Sequence, residues 1–493
     1  MRAPSSNPPT SAEESRVVIA IVASLFLFAP LIKGGNDPIP LLVLELGSLF
    51  LWARILTWHR YWNHLPGFSV GILLTSSLLP LLYFIPIPLH LWGELPGREH
   101  YLEIIEFVIG DQEILRQISI LPFQSESGWY ALFYPLSIFL ITLRLSERKL
   151  NILIKLFIAM AVFQAVLGLI QFGMDADSPL RFGNPYYTHS AVGTYVNRNH
   201  LAALLYMALP LSLAVLTLSL RPNSRRGRKA TATMNSAKFG RILFYGILSV
   251  TILVGLIFTR SRGGIALGMV ALLFSALLFA PHLGNKSILR LVGTILFVGL
   301  VLIIEIGLAP VLARFASPDT IDNGRWDIFS AAFDAAQVFS PLGAGPSNFP
   351  GVFPFFQPGD LLGFINRAHN DYLELYFDGG ILFLLPIVLL IGFYFVFWKN
   401  YFFNDGWGSF QFLQVSAGLS IFLILLHSFL DFNLHIPSNM GYLAFLAGIF
   451  FHPQVHHQRN KRVTIDEHQV IGSKESVHKR QIPDENKINP FDD

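Results

Sequence analysis

The chain lacks cysteine altogether and has few charged residues for its length of 493. Without thiols, disulfides, thiolate catalysis and metal sites with cysteine ligands are excluded. Charged residues make up 14% of the chain and hydrophobic residues 53%. In soluble proteins about a quarter of the residues are charged. The net charge of +3 is too small to indicate a nucleic-acid partner. These shortages indicate that lipid is the main solvent of the protein.

Long apolar runs predict about twelve membrane-spanning helices, because a helix needs about 20 mainly apolar residues to cross a bilayer. The predicted spans lie near residues 17–32, 39–56, 68–89, 128–145, 150–172, 199–219, 241–259, 263–281, 289–309, 379–398, 410–430 and 438–452. The first run lacks a small-residue cleavage signal, so we expect it to be retained. The sequence therefore predicts an all-α polytopic membrane protein.

The positions of Lys and Arg predict which loops face the cytoplasm, since short cytoplasmic loops carry an excess of positive charge. The connection 220–241 holds seven basic residues and no acidic one. Counting spans from that connection puts both termini inside, as a polar segment 1–16 and a disordered tail 453–493. Spans one to nine then occupy 17–309, spans ten to twelve occupy 378–452, and one large loop, 310–377, lies outside.

Four polar clusters fall on the predicted outer face, at residues 193–200, 259–264, 323–326 and 367–374. They contain five arginines: Arg198, Arg260, Arg262, Arg325 and Arg367. A guanidinium group grips phosphate through two parallel hydrogen bonds, so this set suits a lipid phosphate or diphosphate. A single arginine at a span end more often anchors to headgroups, but this group runs against the positive-inside bias.

His369 is the candidate general base, because an unperturbed imidazole titrates at about pH 6.5. Asp371 or Glu374 is a candidate to orient it. In a helix, Asn370 and Glu374 would share a face at a spacing of four residues. The alternative is a loop histidine that is hydrogen-bonded to the backbone.

His427, Asp431 and His435 repeat at four-residue spacing, which would align them on one helix as a metal-binding set. Pro437 indicates that the helix ends nearby, so hydrogen bonding at the membrane edge is the favoured interpretation and no metal is predicted. The D-x-D pattern at 175–177 falls outside the cell, where nucleotide sugars are absent. The G-x-x-x-G pattern at 264–268 fits close helix packing.

Four segments resemble the O-antigen ligase / Wzy-type polymerase superfamily of bacterial inner-membrane glycan enzymes. They are GTYVNRNHLAALL (193–205), TRSRGG (259–264), NGRWDIFSAAF (323–333) with PLGAGPSNF (341–349), and RAHNDYLELYFDGGILFLLP (367–386). The segment HSFLDFNLHIPSN (427–439) is similar to a late segment of the family. The ligase pattern H-N-x9-G-x-x-[G/T/Y] is matched at His369, Asn370 and Gly380, but Phe383 fills its last position. That departure weakens the case for a ligase specifically.

The resemblance implies a GT-C-like fold in the bacterial inner membrane, with the 310–377 loop periplasmic and packed on the bundle. It implies transfer of a glycan from undecaprenyl diphosphate to an acceptor hydroxyl, with neither metal nor cofactor. The acceptor would be another glycan, lipid A-core or a protein side chain. It also implies His369 as the catalytic histidine, with Arg198 and Arg262 as diphosphate clamps. The remaining candidates for substrate binding are Arg260, Arg325, Arg367, Asn370, Asp371 and Glu374.

The preferred interpretation is an inverting glycosyltransferase, with a polymerase first and a ligase close behind. A small-solute transporter is the competing class, and it would place ionisable groups deep inside its spans. Only Glu45, Lys155 and Glu305 clearly occupy such positions, so surface chemistry is favoured. Protein O-oligosaccharyl transfer and a scaffold role beside other polysaccharide-assembly proteins stay open.

Overall fold

A computed structural model shows that the described part of the chain is almost entirely helical. It describes residues 16–57, 67–110, 112–182, 184, 187, 189–221, 236–282, 293, 320–361, 363–402 and 407–453. Residues 1–451 form one compact unit. Of the second unit, 452–493, only residues 452 and 453 are described.

The elements are numbered in chain order within those ranges. The α-helices are α1 Arg16–Phe28, α2 Pro38–Thr57, α3 Gly67–Leu78, α4 Leu89–Gly93, α5 Glu99–Ile109, α6 Pro122–Ala131, α7 Phe133–Thr142, α8 Glu147–Phe172, α9 Arg198–Leu220, α10 Ser236–Phe258, α11 Arg262–Phe279, α12 Thr320–Val338, α13 Phe349–Val352, α14 Asp371–Phe397, α15 Lys399–Phe402, α16 Ser409–His427 and α17 Pro437–Phe450. The 3-10 helices are Lys33–Gly35, Leu79–Phe84, Pro179–Arg181, Ala280–His282, Phe353–Phe355 and Asn433–His435. Strands β1 Pro86–Pro88 and β2 Leu115–Gln117 pair antiparallel, with Ile87 opposite Arg116.

Eight helices in the described ranges are long and apolar enough to cross a membrane. They are Pro38–Thr57, Gly67–Phe84, Glu147–Phe172, Arg198–Leu220, Ser236–Phe258, Arg262–His282, Asp371–Tyr401 and Ser409–His427. The predicted spans at 17–32, 128–145 and 438–452 coincide with shorter helices, and the span at 289–309 lies outside the described residues. The all-α membrane class is confirmed, while the count of twelve and the GT-C topology stay predictions.

Helix α9 forms the centre of the bundle and contacts α8, α10, α11 and α16. In its most apolar window 89% of the residues are buried, as expected for a helix that is apolar on every side. The G-x-x-x-G pattern lies where α11 meets its neighbours. A Cβ at Gly264 would stand 2.5 Å from the Cβ of Ala202, and one at Gly268 would stand 2.4 Å from Leu256. These approaches confirm the helix-packing interpretation of the pattern.

A second apolar core, which we call the outer core, joins a segment between the predicted spans 68–89 and 128–145 to the stretch 310–377 that was predicted to be the large outer loop. Trp92 and Ile120 come from the first segment, and Phe339, Phe353 and Phe377 come from the second. Helix α12 contributes a row of small buried side chains: Ala331, Ala332, Ala335 and Ala336. The stretch predicted as the 310–377 loop is thus folded from residue 320 onward, and α14 begins inside it at Asp371. Residues 310–319 lie outside the described residues.

Helix α14 is interrupted at Gly380, whose φ of 57° and ψ of −151° leave the helical region. The turn 341–345 fits against this interruption. The carbonyl of Pro341 accepts from the amide of Ile381 (3.0 Å), and the carbonyl of Asp378 accepts from the amide of Gly345 (2.8 Å). The buried Arg98 guanidinium donates to the carbonyl of Gly343 (3.0 Å). These bonds tie the outer core to the first turns of α14, where the predicted site residues lie.

Candidate active site

The ends of four helices meet around residues 427–435, which we call the hub segment. It begins at the last residue of α16. The side chain of Asn199, near the start of α9, donates to Asp431. A Cβ at Gly263, near the start of α11, would stand 3.1 Å from Nε2 of His427. The amide of Asp371, the first residue of α14, donates to the carbonyl of Ser428 (2.8 Å). Three helix N-termini and one C-terminus therefore surround the hub segment.

Each of the three N-termini is capped by a polar side chain, as helix starts require. Asn197 accepts from the amide of Asn199 (2.9 Å), and Ser261 accepts from the amide of Gly264 (3.1 Å). Asn370 accepts from the amides of Tyr372 (3.0 Å) and Leu373 (3.1 Å). Helix N-termini carry partial positive charge, so their convergence favours negative charge in this region.

Asp431 is the buried carboxylate at the middle of the hub segment. Besides the bond from Asn199, its Oδ1 accepts from the amide of Phe432 (2.9 Å). Its Oδ1 lies 3.6 Å from Nδ1 of His369, and its Oδ2 lies 3.9 Å from a terminal nitrogen of Arg325. Arg325 also donates to the carbonyl of Leu430 (3.3 Å).

These neighbours keep Asp431 ionised. Burial alone would raise its pKa, but the His369 imidazole beside it, together with His200 and Arg325, holds the pKa of Asp431 well below its usual range. A permanently anionic carboxylate next to an imidazole stabilises the protonated form of that imidazole.

His369 presents a partly exposed imidazole against this anion. Its side chain is 27% exposed, and its ring meets the ring of Phe432 edge to face at a centroid distance of 4.9 Å. Its backbone has a φ of 53°, a conformation that is uncommon outside glycine and is frequent at functional sites. With Nδ1 directed to Asp431, Nε2 is the nitrogen left for a substrate.

Asp371 and Glu374, predicted as candidates to orient His369, contact His435 instead. Nδ1 of His435 lies 2.9 Å from Asp371, and its Nε2 lies 3.1 Å from Glu374. Glu374 also pairs with Arg367 at 2.6 Å and accepts from the amide of Ala368 (3.0 Å). The carboxylate that the structure places beside His369 is Asp431, which sequence reasoning had left at the membrane edge.

The other predicted arginines lie near the helix starts. The guanidinium of Arg198 lies over the ring of Tyr187 (5.0 Å), and that of Arg260 lies over Phe172 (5.1 Å). Arg262 is the first residue of α11. The two glycines that follow it, Gly263 and Gly264, pack against His427 and Ala202.

The residues at four-residue spacing, His427, Asp431 and His435, make separate contacts. Helix α16 ends at His427, so they do not share one helix. His427 contacts the hydroxyl of Tyr206 (3.1 Å), while Asp431 faces His369 and His435 faces two carboxylates. Within the described ranges, no group of three or more His, Asp or Glu is arranged to hold a metal ion. The four-residue spacing drew attention to Asp431 and His435. It suggested side chains aligned on one helix, whereas the two residues contact different partners.

A comparison with family models finds a match at residues 247–388, to the family described as Wzy_C, O-antigen ligase. A comparison with curated proteins finds no match. The matched stretch includes Arg262, Arg325, Arg367 and His369 as well as the interruption at Gly380. The match confirms the resemblance predicted from the motifs and supports an O-antigen ligase/Wzy-type family assignment for residues 247–388.

Proposed function

We propose that the protein transfers or polymerises an undecaprenyl-diphosphate-linked oligosaccharide at the periplasmic face of the bacterial inner membrane, with both termini in the cytoplasm. The observation that carries this proposal is the pairing of a partly exposed imidazole, His369, with a buried anion, Asp431. The O-antigen ligase domain supports a role in polysaccharide assembly.

On the acceptor side, His369 acts as the general base. The acceptor hydroxyl gives its proton to Nε2 of His369 as its oxygen bonds to the anomeric carbon of the donor sugar. Asp431, 3.6 Å from Nδ1, holds the ring in orientation and stabilises the imidazolium that forms. The proton therefore moves to a nitrogen whose opposite side already faces a negative charge.

On the donor side, the bond between the anomeric carbon and the diphosphate oxygen breaks, and undecaprenyl diphosphate leaves as an anion. Arg198 and Arg262, at the starts of α9 and α11, are the proposed clamps for this diphosphate, and Arg260 supports them. Fixed guanidinium groups and helix N-termini stabilise charge that develops in the transition state. Displacement in one step inverts the anomeric centre, and the guanidinium groups supply the charge that a metal supplies in other transferases.

A second glycan is the proposed acceptor, which makes the protein a polymerase. Phe383 occupies the last position of the ligase pattern, and this departure favours a polymerase over a ligase. Lipid A-core and a protein hydroxyl are the other acceptor classes, and separate acceptor arms of one assay distinguish them.

The test is transfer by the purified protein in lipid nanodiscs supplied with an undecaprenyl-diphosphate oligosaccharide. We expect release of undecaprenyl diphosphate in step with product formation, and the same rate after a metal chelator is added. His369→Gln should lower the rate by about 10²–10⁴-fold. His90→Gln is the matched control, because His90 is exposed and pairs with the exposed Glu113 at 3.3 Å. Solute uptake by proteoliposomes without release of undecaprenyl diphosphate would contradict the proposal and favour a transporter.

A further inference from the structure

Two chain segments carry the proposed base and its carboxylate, and a second polar network joins them. His369 lies in the segment 367–371, and Asp431 lies in the hub segment. The amide of Asp371 donates to the carbonyl of Ser428 (2.8 Å), and the amide of Leu434 donates to Oδ2 of Asp371 (3.1 Å). The distance between His369 and Asp431 therefore depends on contacts made by their neighbours.

His435 provides the side-chain part of this network and uses both ring nitrogens. Nδ1 lies 2.9 Å from Oδ1 of Asp371, and Nε2 lies 3.1 Å from Oε1 of Glu374. A carboxylate only accepts hydrogen bonds, and a neutral imidazole has a single N–H, so both contacts are satisfied together only by the imidazolium. The geometry therefore selects the charged form of His435.

Charge balance selects the same form. Asp371 and Glu374 are both buried, and Arg367 supplies one positive charge through its contact with Glu374 at 2.6 Å. A neutral His435 would leave two buried carboxylates with one cation, and an uncompensated buried charge is strongly destabilising.

Two other titratable groups lie near His435. Asp378, further along α14, accepts from the amides of Ser347 (2.7 Å) and Phe349 (2.9 Å) and interacts electrostatically with His435. His200, on α9, is the second. The negative charge in contact with the His435 ring comes from the carboxylates of Asp371 and Glu374.

We propose that His435 is a positioning residue for His369: as an imidazolium it clamps residues 367–371 onto the hub segment and fixes His369 against Asp431. The effect of the clamp on turnover rests on the proposed function, whereas the clamp itself is a property of the fold.

The clamp responds to pH in one direction. Burial alone would lower the pKa of His435, but the carboxylates of Glu374 and Asp371 raise it overall. A raised pKa means that the clamp is fully closed below the ordinary histidine range and is lost as pH rises through the raised value. Asp431 stays anionic throughout, because its pKa is far below its usual range. We therefore expect activity to fall at alkaline pH as His435 loses its proton.

The first test is the pH profile of kcat from about pH 6 to about pH 10. His435→Gln should lower kcat by about 10²-fold through loss of alignment, leave KM for the donor unchanged, and remove the alkaline limb. His435→Lys keeps a charge up to about pH 10.4 and should move that limb to higher pH. His90→Gln should keep the wild-type profile. An alkaline limb that is unchanged in both His435 variants would overturn the proposal.

The second test does not depend on activity. The chain has no cysteine, so Ala368→Cys introduces a unique thiol at a buried position next to His369. At one pH, maleimide labelling should be several-fold faster with His435→Gln than with His90→Gln in the same background. Equal labelling in the two backgrounds would overturn the clamp. Faster labelling supports it even if the wild type releases no undecaprenyl diphosphate, and in that case only the proposed function fails.

Discussion

Asp431 receives contacts from residues that are far apart in the sequence. Asn199 comes from the start of α9, Arg325 from α12 and His369 from the residues before α14. A buried carboxylate with polar and positively charged neighbours stays ionised. Its negative charge then stabilises the protonated form of any neighbour that can exchange a proton. Of these partners only His369 carries an imidazole, the side chain that serves most often as a general base. At the residue scale, we therefore propose that Asp431 acts through the imidazole of His369.

Replacement of Asp431 by Asn should lower the transfer rate by about 10²-fold or more, because an amide of the same shape cannot stabilise the imidazolium. The measurement is the initial rate of undecaprenyl diphosphate release. Asp334→Asn, on an exposed part of α12, is the matched control and should keep the wild-type rate. An Asp431→Asn protein that is folded and as active as the wild type would contradict the assignment.

His369 and the arginines were proposed from residue chemistry and motif, whereas the carboxylate that lies beside His369, Asp431, was not. Asp371 and Glu374 are close to His369 in sequence, and for that reason they were the candidates. In the structure Asn370 caps α14, and the two acids inside the helix then face His435. The backbone changes direction at His369, where φ is 53°, and this turns Asp371 and Glu374 away from the His369 side chain. Such a turn cannot be derived from sequence spacing alone.

At the scale of elements, the interruption of α14 joins the outer core to the membrane helix. The φ and ψ of Gly380 lie in a region that is nearly restricted to glycine. A Cβ at Gly380 would stand 1.9 Å from the carbonyl oxygen of Pro341. Both the backbone conformation and the close approach of the 341–345 turn require glycine here.

Gly380→Ala should therefore destabilise the protein by about 2 kcal/mol or more, because strain and a backbone clash add together. The readout is the thermal unfolding midpoint in detergent, which should fall by several degrees. Gly392→Ala is the matched control on the same helix, where a Cβ would have no atom within 4 Å, and its midpoint should stay the same or rise slightly. Equal midpoints for the two variants would show that the turn does not depend on glycine.

The long membrane helices could be predicted because each is a long run of apolar residues. Helix α12 was instead predicted as part of the large loop 310–377. The buried side chains of α12 are alanines, Ala331, Ala332, Ala335 and Ala336, which contribute little hydropathy although they share one helix face. Their partners, among them Trp92 and Phe377, come from other segments. A core made of small residues on one side and distant aromatic residues on the other leaves no periodic signal of high hydropathy.

At the scale of the whole molecule, the helical bundle and the outer core both contribute to the candidate site. Asn199 comes from a membrane helix, whereas Arg325 comes from α12, which packs in the outer core. Under the proposed function, donor lipid and acceptor glycan arrive from these two sides. The proposed function therefore requires that the outer core face the periplasm.

Single cysteines can test this orientation, because the natural chain has none. Asp327→Cys places a thiol at an exposed position of α12, and Asn223→Cys places one in the basic connection 220–241. A membrane-impermeant maleimide should label Asp327→Cys in intact spheroplasts but should label Asn223→Cys only after lysis. The reverse pattern would contradict the predicted topology.

The most direct test of the central claim is a double-mutant cycle of kcat with His369→Gln, Asp431→Asn and the double variant. If Asp431 acts through His369, the double variant should be no slower than His369→Gln alone, because residues that act as a unit are strongly non-additive. Losses that multiply in the double variant would show that the two residues act independently, and would contradict the account of the site.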